Sequence, residues 1–238
     1  MGGVPVPQSR RCRPSGRDKI DREHVVAAAL TIIDRAGLDS LSIRGLAASI
    51  DRDPMTVYRY VSTKQALLDA VADHVLASLP CVVTTDPQWT YQLRLFARQY
   101  RELALRHPHA AILLATRPPS TPLGLGTHSS LAPVDGILEL LTTAGFTASD
   151  AISSYRSLLS YLRGHILSEA QETVERPEDT ADRLRIAVRR FPADRFPLLS
   201  TFPPIVTDYD GDRELERGLD TLLHGLDGRL ARPAHVRP

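Results

Sequence analysis

Cysteine, lysine and long apolar runs are scarce in this 238-residue sequence, and each scarcity removes a class of protein. The two cysteines, Cys12 and Cys81, sit in unlike segments and offer neither a disulfide framework nor a zinc cluster. No run approaches the roughly 18 apolar residues needed to span a bilayer. The N-terminus MGGVPVPQSRR has no long apolar stretch of the secretory kind, so a cytoplasmic location with no membrane partner is expected. Catalytic signatures are missing as well. There is no Gly-x-Ser-x-Gly, no phosphate-cradling glycine loop, no His-Glu-x-x-His and no cysteine pair at zinc spacing. Enzyme chemistry therefore finds no foothold, and no cofactor or metal is expected. Of the 29 basic residues only Lys19 and Lys64 are lysines. That skew toward arginine resembles a GC-rich coding bias, so a single arginine carries little information.

What is present is a globular chain, 42% hydrophobic, with its charge unevenly spread. Residues 1–64 hold 11 Lys/Arg against 7 Asp/Glu, and the remainder holds 18 against 21. A basic head on a mildly acidic body suggests one end for nucleic acid and another for different work. Apolar residues recur at helical spacing throughout, and no segment reads as a strand. The fold class is all-α. Residues 1–20 read as a disordered basic arm, 21–66 as a small helical DNA-binding domain, and 67–238 as a larger helical domain. Helices are expected over 22–36, 88–106, 110–115, from Pro133 through Leu141, from Thr147 to about Glu172, weakly over 181–191, and over 212–231. The last carries a stripe of Leu215, Leu219, Leu222, Leu223, Leu226 and Leu230, which suits either an internal core helix or a seam with a second copy.

Residues 40–64, SLSIRGLAASIDRDPMTVYRYVSTK, are the most informative stretch. Ser42 caps one short helix, whose Leu46, Ala47 and Ile50 fall at helical spacing. Asp53 caps a second over 54–60, with Pro54 at the first position, where its missing N–H costs nothing. Thr63 caps a fourth helix with an apolar face of Leu67, Leu68, Val71, Val75 and Leu79. The second helix of the pair carries Met55, Thr56, Tyr58, Arg59 and Tyr60, too polar a group for a buried helix. A helix pair with a tight turn and a polar second member places side chains in the DNA major groove. Val57 and Val61 are its packing residues. Arg44 suits a guanine edge or, equally, a phosphate. Arg10, Arg11, Arg13 and Arg17 form either a DNA-contacting arm or a solvating tail.

The run AALTIIDRAGLDSLSIRGLAASI and the block TVYRYV–TK–LLDAV resemble the TetR family of bacterial one-component regulators. More diffusely, RHPHAAILLATRP, ELLTTAGFTASDA and LERGLDTLLHGLDGRL are similar to the C-terminal domain of its tetracycline-repressor subclass. The resemblance implies a three-helix helix-turn-helix domain, a homodimer through the long C-terminal helices, double-stranded operator DNA and a small-molecule effector as partners, and most simply a repressor. Lys64 then matches the family's phosphate anchor. An effector chamber is implied near Phe96, Tyr100, Leu113, Leu114, Tyr161 and Leu162, with Thr116, Arg117 and His165 as orienting groups. Arg117 equally suits a helix end or a bridge to the DNA-binding domain. The segment 106–118 is the expected coupling element. Two departures matter. Asp51 stands where the family's turn usually has glycine, and Asp tolerates that left-handed conformation better than most residues. Leu113 and Ser160 stand where tetracycline repressors carry metal-binding histidines, so a largely apolar effector bound without metal is expected. The alternative is a constitutive architectural DNA-binding protein with no ligand.

Overall fold

The computed structural model describes residues 20–82, 84, 88–116, 128–174, 186, 192, 194–198 and 210–230. Arg117, the expected arginine arm and the expected helix at 181–191 (save Ile186) lie outside them. Among the described residues every regular element is helical: α1 (Arg22–Ala36), α2 (Ile43–Ser49), α3 (Pro54–Tyr58), α4 (Lys64–Leu76), α5 (Trp89–Arg106), α6 (Pro108–Thr116), α7 (His128–Thr143), α8 (Ala148–Val174) and α9 (Gly211–Leu230), with a 3₁₀ turn at Leu38–Ser40.

Side-chain caps set the boundaries, at Ser42, Asp53 and Thr63 as expected from sequence and at Asp21 in addition. The Asp21 carboxylate accepts from the His24 N–H at 2.9 Å, Ser42 Oγ from Gly45 at 3.0 Å, Asp53 from Met55 at 2.7 Å and Thr63 Oγ1 from Ala66 at 3.0 Å. Each satisfies a donor the first helical turn leaves orphaned. Thr147 Oγ1 accepts from the Asp150 N–H and donates to its carboxylate, opening α8. The turn between α2 and α3 depends on Asp51, which adopts φ +51, the left-handed region. Arg52 N then reaches back to the Ala47 carbonyl at 2.9 Å. Three boundaries differ from expectation. α3 ends at Tyr58, leaving Arg59 and Tyr60 in the following turn; α6 starts at Pro108; and α7 starts at His128, with Pro133 inside it.

α1 to α4 enclose a small core of Val25, Ala29, Ile33, Leu46, Val57, Leu67 and Val71, each essentially inaccessible. The larger core is built on α5 (Leu93, Phe96, Tyr100) against Ile137, Leu140 and Leu141 of α7 and Leu158 and Leu162 of α8. Trp89 meets Phe146 edge-on at 5.2 Å, fastening the start of α5 to the α7–α8 turn. Between the two cores lies α6, which touches α1 and α4 on one side and α5 and α8 on the other.

The leucine stripe of α9 is not left for a partner. Leu215, Leu219, Leu223 and Leu226 are buried within the single chain, where α9 packs on α5 and α8. Two glycines permit this approach. A Cβ on Gly211 would collide with the Glu169 carboxylate, and one on Gly218 with the Tyr161 ring and hydroxyl. Ion pairs finish the joint: Arg98 Nε to Glu216 at 2.6 Å, and Arg94 to Asp220 at 2.6 Å.

The left-handed turn at Asp51 is open to a direct measurement. Asp51→Val should destabilise the protein by about 1–2 kcal/mol, because a β-branched residue resists positive φ. Asp51→Gly should stay within about 0.5 kcal/mol of the parent, as relief of strain offsets the freer unfolded chain. Urea denaturation of the three proteins checks the order, and equal losses for Val and Gly would refute it.

Candidate nucleic-acid interface and effector chamber

The caps and the Asp51 turn fix which side of α3 faces out. Val57 is wholly buried and Val61 nearly so, and this pair pins the segment to the head. Met55 (70% accessible) and Tyr58 (46%) project into solvent, Arg44, Arg59 and Lys64 are exposed, and Thr56 is half-buried. No carboxylate among the described residues pairs with Arg44, Arg59 or Lys64. Three cations without a described carboxylate partner, two hydroxyl-bearing side chains and one exposed methionine thus lie along α2, α3 and the start of α4. Such a set suits phosphates, base edges and a thymine methyl.

Tyr60 departs from this face. It is half-buried, and its hydroxyl donates to the Ile20 carbonyl at 2.6 Å. It fastens the chain just before α1 onto the head, which withdraws it from the reading set. Two residues past Tyr58, the last residue of α3, it lies on a turn rather than on the helix.

The proposed chamber residues fall into two groups. Phe96, Tyr100, Leu113 and Leu162 are buried together with the half-buried Leu114 in the α5–α6–α8 interior, and the Phe96 and Tyr100 rings lie 6.1 Å apart. Tyr161 and His165 point elsewhere. The Tyr161 hydroxyl donates to backbone carbonyls of Glu214 and Leu215, at 3.1 and 3.0 Å, at the α8–α9 seam. His165 lies beside it, with its Nε2 buried, lacking a hydrogen-bond partner and 3.8 Å from Glu169. Thr116 is exposed and donates to its own helix at Ile112 O, 2.7 Å away. These three stand apart from the buried α5–α6–α8 group. An open groove of about 480 Å³ runs along the seam, bordered by Tyr161, His165, Glu214 and Gly218. Ser160 is exposed, and Leu113 is interior.

Three features escaped sequence reasoning. Arg101 donates through Nε to Glu169 at 2.7 Å and through Nη1 to Asp212 at 2.6 Å, tying α5, α8 and the start of α9 together. His107, just past the end of α5, meets Asp34 of α1 at 2.8 Å and so joins the body to the head. Inside the body, Tyr155 and Arg163 accompany Tyr100. Burial raises the Tyr100 phenol above its ordinary range, and the nearby Arg163 guanidinium acts in the opposite sense; Tyr155 behaves the same way. All three are partnerships between residues far apart in sequence, although Tyr155 and Arg163, eight apart on one helix, do share a side of it.

Residues 84–230 match the family of tetracyclin repressor-like C-terminal domains. An HTH-type transcriptional regulator of Saccharopolyspora erythraea is 28% identical over 207 residues, covering 87% of this chain and 84% of that protein. The class D tetracycline repressor of Escherichia coli is also 28% identical, over 218 residues, covering 89% of this chain and 91% of its own. Among solved structures, the Streptomyces coelicolor TetR family protein ActR in complex with actinorhodin superposes with a TM-score of 0.77 at 26% identity, covering 90% of this chain and 98% of that one.

His165 gives the α8–α9 seam a pH signature. Burial lowers its pKa below the ordinary 6.5, with Glu169 opposing and Arg101 reinforcing the shift. The folded state thus binds this proton less readily than the unfolded chain does. The stabilisation is present above about pH 6.5 and is lost as pH falls below it. Urea melts at pH 7.5 and 5.5 should show a larger loss for the parent than for His165→Gln. Equal losses would show that His165 carries none of this dependence.

Proposed function

The chain belongs to the TetR family of DNA-binding transcriptional regulators, and from that premise we propose a homodimeric repressor that leaves double-stranded operator DNA when a small, largely apolar molecule enters the α5–α6–α8 interior without a metal ion. Its relatives are regulators rather than enzymes, and they do not favour a constitutive architectural role. The observation that carries the reading is the position of α6. This helix touches the head through α1 and α4 and the apolar interior through α5 and α8. A ligand that displaces it shifts the head, to the extent that it binds one arrangement better than the other.

In this reading residues 21–66 are the reading head and the chain from 67 onward is the effector and dimerisation domain, with α4 lying against both. Tyr58 and Lys64 meet phosphates. Met55, Thr56 and Arg59 border the groove, and Arg44 reaches a base edge. Phe96, Tyr100, Leu113, Leu114 and Leu162 line the chamber. The complex of ActR with actinorhodin supports a small organic effector. No helix among the described residues is long and apolar enough to cross a membrane. The two-fold seam uses faces of α8 and α9 that the monomer leaves bare. A Cβ built on Gly164, Gly225 or Gly228 meets nothing within 4 Å.

Operator binding tests the head. Tyr58→Ala and Lys64→Ala should weaken binding to all DNA sequences, and Lys64→Ala should lower the salt slope by about one. Arg44→Ala should relax preference at particular base pairs, at a cost of about 1–3 kcal/mol. Parent-like binding by all three would misplace the reading face. For the seam, Gly164→Arg leaves the monomer interior untouched and should give a folded monomer by light scattering. A dimer that survives this substitution would put the two-fold contact elsewhere.

A further inference from the structure

The arginines facing the body of the protein are not treated alike. Arg94 and Arg98 are neutralised by Glu216 and Asp220, and Arg101 by Glu169 and Asp212. Arg163 has no such partner among the described residues, and its Nε is buried with no hydrogen bond. Arg163 is half-buried and hydrogen-bonded to the Tyr100 side chain, yet no described carboxylate offsets its charge; folded chains keep such cations where something else supplies the counter-charge. Its surroundings say what that something is like. Arg163 shares a side of α8 with Tyr155, two turns earlier, and acts on the buried hydroxyl of Tyr100 on α5. Both tyrosines are about 5–6% accessible, and Phe96 stacks at a tilt beside Tyr100. The interior read as the chamber thus joins aromatic side chains to a cation that no described carboxylate neutralises.

We propose that Arg163 is the anion-recognising group of the effector chamber, and that the effector is an aromatic acid, with an apolar ring body against Phe96, Tyr100 and Tyr155 and a carboxylate or equally acidic oxygen on the guanidinium. This rests on the reading of the α5–α6–α8 interior as the effector site. It narrows the largely apolar effector expected from sequence to one that carries a single negative charge. It also gives Arg163 the orienting role the sequence had assigned to Arg117.

The test uses the full-length protein and two probes of the same shape, anthracene-2-carboxylate and anthracene-2-carboxamide, read by displacement of labelled operator in fluorescence anisotropy and by thermal shift. The acid should bind about tenfold or more tighter than the amide, the scale of one charge-assisted hydrogen bond. Arg163→Met should bring the acid to the level of the amide and leave the amide unchanged, and Arg163→Lys should keep part of the preference. Without ligand, Arg163→Met should stay folded and melt within a few degrees of the parent, since no ion pair with a described carboxylate is lost. Equal binding of the two probes, no binding of either, or a preference that survives in Arg163→Met would overturn the proposal. Operator affinity of the unliganded parent is read in the same assay. Its absence would instead strike the regulator reading, whatever the probes do.

Discussion

A nine-residue helix without a polar face governs this molecule. In α6, Ala110, Ala111 and Leu113 are buried, and Ile112, Leu114 and Ala115 are half-buried. A helix apolar all round must be covered on all sides. Here α1 and α4 cover one side, and α5 and α8 the other. Head and body thus share one piece of hydrophobic core rather than meeting across a wet boundary. Close-packed cores respond to displacement by switching arrangement, not by yielding gradually. The His107–Asp34 pair at the start of α6 adds a polar tie across the same junction.

Charge is organised by a different rule at each end. In the head, Arg44, Arg59 and Lys64 have no carboxylate partner among the described residues, so their field is left unopposed there, as the proposed DNA contact requires. In the body, acidic residues of α8 and α9 meet the arginines of α5. Glu216 sits below its ordinary pKa chiefly because it accepts from Arg98. The joint around Arg98 is partly exposed, so each such pair contributes only a few tenths of a kcal/mol to about 1 kcal/mol. The joint around Arg101 and Glu169 is largely shielded, and its role is better described as fixing geometry.

What was legible in the sequence was whatever local chemistry decides. Ser42, Asp53, Thr63 and Thr147 cap their helices because capping needs only a side chain and an amide three or fewer residues away. Asp51 takes the left-handed turn for the same local reason. The buried stripes of α1, α4 and α5 followed from period alone. The errors arose where one face had two suitors. The stripe of α9 fits an internal core or a second copy equally well, and only the packing of α9 on α5 and α8 decides between them. Tyr161 and His165 have the chemistry of a binding site but stand at the seam with α9. Arg163 and Glu169 were passed over because their meaning depends on whether a partner arrives from elsewhere in the chain.

Gly211 and Gly218 are seven residues apart, two turns of α9, and each leaves room for a side chain of α8. Together they behave like two notches cut in a bar. A slide of α9 by one residue, or a rotation of one position, would drive a Cβ into Glu169 or Tyr161 and lift both at once. The long helices of the body are therefore locked in register. Any rearrangement at that joint has to change an angle, because slippage is closed to it.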